Sequence, residues 1–241
     1  MIEVNSLTKR FGHKVAVDNL SFSVQKGEVL GFLGPNGAGK STTMRMVTGF
    51  LPVTSGSIEI GGVSMIGKPM EAKKKIGYLP ESAPLYNDMT VKGFLKFCAS
   101  MRGLGGKGRK EAVEKAIETC FLESVAHQSI DTLSKGYRHR TCLAQSLLHD
   151  PEVLILDEPT DGLDPNQKQE VRKLIRNLGK EKAVLFSTHI LEEVSEACTR
   201  AVIVDQGVIV ADGTPAELTA QGGGSLYDLF HKVTTSETSA A

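Results

Sequence analysis

An excess of one charge, paired cysteines and long apolar runs are all missing from this sequence, and each absence removes a class of function. The 28 basic residues equal the 28 acidic ones. No global field therefore draws the chain to nucleic acid or to anionic lipid, and nucleic acid is not an expected partner. Lys73, Lys74 and Lys75 form one local basic run, which reads as a solvated helix face. The four cysteines, Cys98, Cys120, Cys142 and Cys198, stand far apart with no CxxC pair. Each falls among apolar residues in a helix-like segment, which suits buried reduced thiols in a cytosolic protein better than disulfides or a metal site. The six histidines are likewise scattered. Met1-Ile2-Glu3-Val4 has neither the basic nor the apolar region of a signal peptide. The best apolar runs, residues 153–156 and 201–204, are far too short to cross a bilayer. These features predict a soluble, cytoplasmic chain whose membrane role, if it has one, comes through a partner.

What is present is the composition of an ordinary globular protein, with 40% hydrophobic and 23% charged residues. At 241 residues the chain suits one large domain or a domain with a subdomain. Its first third alternates like strands: Leu20, Phe22 and Val24 share one face, Ser21 and Ser23 the other. Gly56-Ser57-Ile58-Glu59-Ile60 repeats the pattern after a turn. Between them Val29-Leu30-Gly31-Phe32-Leu33 is a short apolar run that stops at a glycine-rich loop. Residues 41–48 then read as a helix ended by Gly49 and Pro52.

The middle third changes to helical period, through Val91, Phe94, Leu95, Cys98 and Met101, then Val113, Ala116, Ile117, Cys120 and Phe121. A glycine-rich linker, residues 103–108, separates the two helices. Three compact apolar runs follow, at residues 153–156, 183–186 and 201–204, with helical patterns such as Val171, Leu174, Ile175 and Leu178 between them. Apolar strands that alternate with helices indicate a mainly parallel sheet covered on both faces. The expected organisation is an α/β domain over residues 1–221, with a helical subdomain inserted at about 82–150. Gly222-Gly223-Gly224 then leads to a short docking helix (Leu226, Tyr227, Leu229, Phe230), and residues 234–241 form a frayed tail.

Gly34-Pro35-Asn36-Gly37-Ala38-Gly39-Lys40-Ser41-Thr42 fits the phosphate-loop pattern G-x4-G-K-[ST], between a buried strand and a helix as the pattern requires. Glycines let the backbone curl so that amide groups face an anion, and the helix N-terminus adds positive potential. Lys40 would reach the β and γ phosphates, and the Ser41 hydroxyl would hold Mg2+. The strand at residues 153–156 runs into Asp157-Glu158-Pro159. A strand can end in acids simply to meet water, but beside a phosphate loop the pair has a chemical use. Asp157 would bind Mg2+, and Glu158 would orient and deprotonate the attacking water. Ser187-Thr188-His189 follows the next apolar strand, and in a doubly wound sheet this end of the strands faces ligand.

Leu133-Ser134-Lys135-Gly136-Tyr137 opens another helix, either as an ordinary cap or as a second anion site. Over nearly its whole length the sequence resembles the nucleotide-binding domain of ABC transporters, whose short signature normally reads LSGGQ. The order of motifs also matches: phosphate loop, signature at Leu133, acidic strand, Asp161-Gly162-Leu163-Asp164 like the D-loop, and His189 like the switch histidine. Phe11 stands where the family places an aromatic against adenine. The resemblance implies a P-loop NTPase core with an N-terminal antiparallel β subdomain and an inserted helical subdomain. It implies catalytic roles for Glu158 and His189, and Mg2+ ligation by Ser41, Glu81 and Asp157. A head-to-tail dimer with a second copy or a paralogue is also implied, with ATP between Lys40 of one chain and Ser134 and Gly136 of the other. The expected partner is an integral-membrane permease, the expected action export, and the expected location the cytoplasmic face of the membrane. Departures are Glu81 for the family's Gln, Lys135 for Gly, and Tyr137 for Gln. Two other readings suit the same residues: a cytosolic ABC-type ATPase unconnected with transport, and a module that uses ATP to assemble or regulate.

Overall fold

The computed structural model describes residues 1–82 and 84–235. The chain begins with a hairpin, β1 (Ile2–Phe11) and β2 (Lys14–Val24), in which Leu20, Phe22 and Val24 point inward and Ser21 outward. Ser6 and Asn19 take left-handed conformations where the β1–β2 register shifts. β3 (Val29–Leu33) follows, then α1 (Lys40–Val47), β4 (Ser55–Ile60), β5 (Val63–Ser64), α2 (Pro69–Lys74) and β6 (Ile76–Leu79). β2, β1, β4 and β5, in that order, make an antiparallel sheet.

The helical block comprises α3 (Val91–Met101), α4 (Gly106–Thr119) and α5 (Lys135–Leu147), each packed on the other two. Three details depart from the sequence pattern. The linker expected over residues 103–108 ends at Gly105, because α4 already starts at Gly106. Burial of Val113, Ala116 and Ile117 drives this helix, and its first turn carries Gly106 and Gly108 despite their low propensity. Phe121 does not continue α4: it turns left-handed (φ 54°) and is 52% exposed, while Cys120 and Leu122 on either side are buried. Met101 closes α3 and is 73% exposed.

The remainder supplies β7 (Val153–Asp157), α6 (Pro165–Leu178), β8 (Ala183–Thr188), α7 (Leu191–Ala197), β9 (Arg200–Asp205), β10 (Val208–Gly213), α8 (Pro215–Gln221) and α9 (Leu226–Thr235). The main sheet runs β10-β9-β3-β8-β7-β6, parallel throughout except for the antiparallel edge strand β10. All residues of β3, β7 and β8 are buried, which is why these strands show apolar runs rather than alternation. Leu30, Phe32, Ile155 and Leu185 face α1 and the antiparallel sheet. Leu154, Leu156, Val184 and Phe186 face α3, α4, α5 and α6. Each such side chain contributes about 1.5–3 kcal/mol by leaving water.

Leu226 and Leu229 of α9 pack with Leu33, Val194, Ala201, Ile203 and Leu218, so the last helix docks on the main sheet. Thr234 and Thr235, expected in a frayed tail, belong to α9; residues 236–241 of that expectation lie outside the described residues. The four cysteines are free, with Cys120 and Cys142 buried and Cys98 and Cys198 partly exposed. Burial pushes the Cys120 and Cys142 thiols up to about 12. The carboxyl ends of β3, β7 and β8 emerge side by side, which brings residues 34–39, Glu158 and His189 to one edge of the sheet.

Candidate functional site

The loop after β3 is shaped by its glycines. A Cβ on Gly34 would lie 2.3 Å from the Val204 carbonyl oxygen, and one on Gly39 would lie 2.6 Å from that of Ala16. Gly37 (φ 86°) and Gly39 (φ 102°) are left-handed, which L side chains resist. Ala38 is buried, its amide donating to the Pro35 carbonyl (3.2 Å) and its carbonyl accepting from Gly207 (3.0 Å), so it anchors the loop. The buried Lys40 side chain bends back over the loop, donating to the carbonyls of Gly34 (2.7 Å) and Pro35 (3.2 Å). Among the described residues no side chain caps the N-terminus of α1, so the potential of its first turn faces the space above the loop.

Two acids stand opposite. Asp157 is 1% exposed. Its Oδ1 accepts from Ser187 Oγ (2.6 Å) and Ser41 Oγ (3.1 Å). Its Oδ2 is buried without a hydrogen-bond partner among the described residues. An orphaned carboxylate oxygen beside a serine hydroxyl fits a hard divalent cation or a water bound to one. Tyr78 lies behind this carboxylate. Burial and, next, the Asp157 charge push its phenol up to about 12. Glu158 adopts a left-handed conformation (φ 50°), a strained state that sites tend to hold by surrounding contacts. Those contacts are present: its amide donates to Ser187 Oγ (2.9 Å), its Oε1 is 3.6 Å from Lys40 Nζ, and its Oε2 is 2.9 Å from His189 Nδ1.

These groups surround a cleft of about 510 Å3. Of the residues singled out in the sequence, Phe11, Asn36, Gly37, Gly39, Lys40, Ser41, Thr42, Glu81, Glu158 and His189 line it. Gly34 and Pro35 support it through their carbonyls and Asp157 through Ser41. Phe11 is half exposed at its rim, with Lys9 Nζ 5.1 Å from the ring centroid. Ser134 and Gly136 are not brought to the cleft. Ser134 caps α5 by accepting from the Tyr137 amide (3.4 Å). Gly136 packs so closely on α6 that an added Cβ would sit 2.2 Å from Gln167 Oε1. The two helix starts thus form separate surfaces of one chain, linked where Lys135 Nζ meets Asp161 Oδ2 at 3.2 Å.

Lys14, Ala16 and Asp161 also line the cleft and Ser187 supplies the hydroxyl that joins both acids, roles that no sequence motif marks. The only hint for Ser187 was its place at the end of an apolar strand, where a small hydroxyl faces the neighbouring strand end. The arrangement combines an amide-lined loop, one buried ammonium, a serine–carboxylate pair with a spare oxygen, and a histidine-held carboxylate. That set suits a phosphorylated ligand and attack by water on a phosphoryl group.

A family model described as ABC transporter matches residues 17–161. The chain is 39% identical over 222 residues to the probable multidrug ABC transporter ATP-binding protein YbhF of Escherichia coli (strain K12), a match that takes in 92% of this chain and 38% of that protein. It is 39% identical over 226 residues to the linearmycin resistance ATP-binding protein LnrL of Bacillus subtilis (strain 168), covering 93% of this chain and 72% of the relative. The chain thus spans well under half the length of YbhF and nearly three quarters of LnrL. A solved ATP binding subunit of an ABC transporter superposes with a TM-score of 0.86 at 28% identity, over 97% of this chain and 99% of that one. The dimeric cassette MJ0796, solved with ADP and Pi, shares the fold with a TM-score of 0.81 at 21% identity, over 89% and 99% of the two chains.

Proposed function

The chain belongs to the ABC transporter family, and from that premise we propose that it binds and hydrolyses ATP to power transport, in the export direction, through a separate membrane permease. The observation that carries this reading is the chain of contacts at the mouth of the amide loop, from Lys40 to Glu158 (3.6 Å) and from Glu158 to His189 (2.9 Å). It supports a reading in which a cation, a general base and a positioner for that base surround one point in the cleft.

ATP enters with adenine against Phe11 and its phosphates over residues 34–42. Lys40 then exchanges the carbonyls of Gly34 and Pro35 for the β and γ phosphate oxygens. Mg2+ fits the donors Ser41, Asp157 and Glu81, and when bound it would neutralise charge on the phosphates. Glu158 takes the proton from a water whose oxygen attacks the γ phosphorus. The bond from that phosphorus to the bridging oxygen breaks, leaving ADP and phosphate. His189, through Nδ1, keeps the Glu158 carboxylate turned to that water.

Ser134 and Gly136 lie outside the chain's own cleft, which supports a head-to-tail arrangement in which they close on nucleotide held by a second copy. Driving such a dimer from 1:99 to 99:1 closed takes about 5.5 kcal/mol of differential binding, which a γ-phosphate touching both chains supplies and ADP does not. For the permease, a groove of about 460 Å3 lies just beyond Glu81, lined by Pro84, Leu85, Tyr86, Phe94, Phe97 and Met101. Tyr86 and Phe97 meet edge to face there, with centroids 5.6 Å apart, and both are exposed. A short amphipathic helix of the permease fits this surface. No described helix is long and apolar enough to cross a membrane. The exposed aromatic groove supports attachment to the cytoplasmic face through the permease.

The test is equilibrium binding of a fluorescent ATP analogue with Mg2+. Lys40→Ala should weaken binding about 10- to 100-fold, the scale of a lost charge-assisted contact with phosphate. Parent-like affinity in the folded variant refutes the assigned loop.

A further inference from the structure

Among the described residues, one buried acid takes no part in hydrolysis as proposed. Glu193, on α7, is 1% exposed and does not line the cleft. Its Oε1 accepts a hydrogen bond from Thr160 Oγ1, and its Oε2 accepts one from Thr188 Oγ1 at 2.6 Å. Both hydroxyls belong to buried residues. Thr160 lies two residues after Glu158, and Thr188 lies immediately before His189. Thr188 is tied twice more, its Oγ1 accepting from the Ile190 amide (3.0 Å) and its carbonyl from the Gly34 amide (3.3 Å). Arg172 of α6 reaches Glu193 Oε1 at 3.8 Å, while its main partner is Glu196 at 2.9 Å.

Burying a carboxyl group is costly, and an apolar side chain at this place would pack α7 on the sheet at less cost. A carboxyl group, however, has two oxygens a fixed distance apart. Here each oxygen holds one of the two segments that carry Glu158 and His189. We propose that Glu193 is a positioning residue for ATP hydrolysis, setting the spacing between these segments and so the contact between Glu158 and His189. Ser187 fastens the same segments through Asp157 and the Glu158 amide, and Glu193 fastens them from α7 through Thr160 and Thr188. Because Glu193 touches neither the loop nor the cleft, its loss should slow the chemical step and leave nucleotide affinity alone.

This inference rests on the ATPase reading, and the experiment separates the two. In the full chain, Thr160→Val and Thr188→Val each remove one hydroxyl while keeping the side-chain shape, Thr160→Ser keeps the hydroxyl, and Glu193→Gln changes the carboxyl itself. For each, kcat, the dissociation constant of a fluorescent ATP analogue and the melting temperature are measured. The valine variants and Glu193→Gln should lose about 10- to 100-fold in kcat, the scale of a misplaced catalytic group, with nucleotide affinity within about twofold of the parent. Thr160→Ser should recover most of the rate. Thr160→Val combined with Glu193→Gln should cost less than the sum of the two single changes, since both act through the same carboxyl group. If Glu193→Gln does not fold, the threonine variants decide. Folded variants with parental kcat, an equal loss of binding and turnover, or Thr160→Ser no better than Thr160→Val each overturn the proposal. A parent protein without ATPase activity overturns the functional reading and this inference with it.

Discussion

Ser187→Ala tests how the two acids are held. Ser187 Oγ donates to Asp157 Oδ1 (2.6 Å) and accepts from the Glu158 amide (2.9 Å), both in the interior. Alanine removes the two bonds together and adds no atoms, so no overpacking confuses the result. The bond to a carboxylate is worth about 1.5–3 kcal/mol, and the orphaned amide costs about 1 kcal/mol or more. Together the loss should be about 2–4 kcal/mol, because among the described residues Asp157 would keep only Ser41 on Oδ1 and no partner on Oδ2. The sequence has no tryptophan, so unfolding in urea is best followed by circular dichroism. The midpoint should fall by about 1 M, taking a slope of about 2–3 kcal/mol per molar urea. Turnover should drop as well, since the left-handed Glu158 loses the acceptor that holds its amide. A midpoint shift under about 0.3 M with unchanged kcat would show that Ser187 does not organise the acids.

Two further outcomes follow from other parts of the molecule. Tyr86→Asp places a charge in the groove with Phe94 and Phe97. Co-purification with the permease and its stimulation of ATPase activity should fall at least about tenfold, as for loss of a central aromatic anchor, while the isolated chain keeps its basal rate; undiminished coupling refutes the docking surface. His149 is pulled down from 6.5 to about 4, chiefly by burial, with Nε2 3.0 Å from the Ile76 carbonyl oxygen. Unfolded chains bind the extra proton first, so its contribution is complete above pH 6.5 and is lost as pH falls towards about 4. His149→Gln should flatten that part of the stability profile, and equal slopes for parent and variant rule out the assignment.

The layers and much of the cleft could be read from sequence because their signals are local. Buried parallel strands announce themselves as apolar runs, as at Val153, Leu154, Ile155 and Leu156, and a phosphate loop is a contiguous pattern from Gly34 to Thr42. What escaped depends on contacts between distant segments. Ser187 meets Asp157 across 30 positions and Thr160 meets Glu193 across 33, and no local pattern marks a serine or threonine as the partner of a distant acid. Lys14 and Ala16 reach the cleft only because the first hairpin folds against the loop at Gly39. Phe121 differs for another reason: the helical spacing runs on to it although α4 ends at Thr119, and periodicity cannot detect that Phe121 itself turns left-handed. Gly106 and Gly108 erred the other way, since packing of α4 outweighed their weak propensity.

The Glu158→Gln variant probes the core of the account most directly, by following a single turnover of Mg-ATP together with the protein's oligomeric state. Glutamine keeps the shape and the hydrogen-bonding reach towards His189 Nδ1 and Lys40 but cannot take a proton from water. The expected result is parental nucleotide affinity, a stable nucleotide-bound dimer, and hydrolysis slowed at least about 100-fold. Hydrolysis at the parental rate by a folded Glu158→Gln protein would contradict the account.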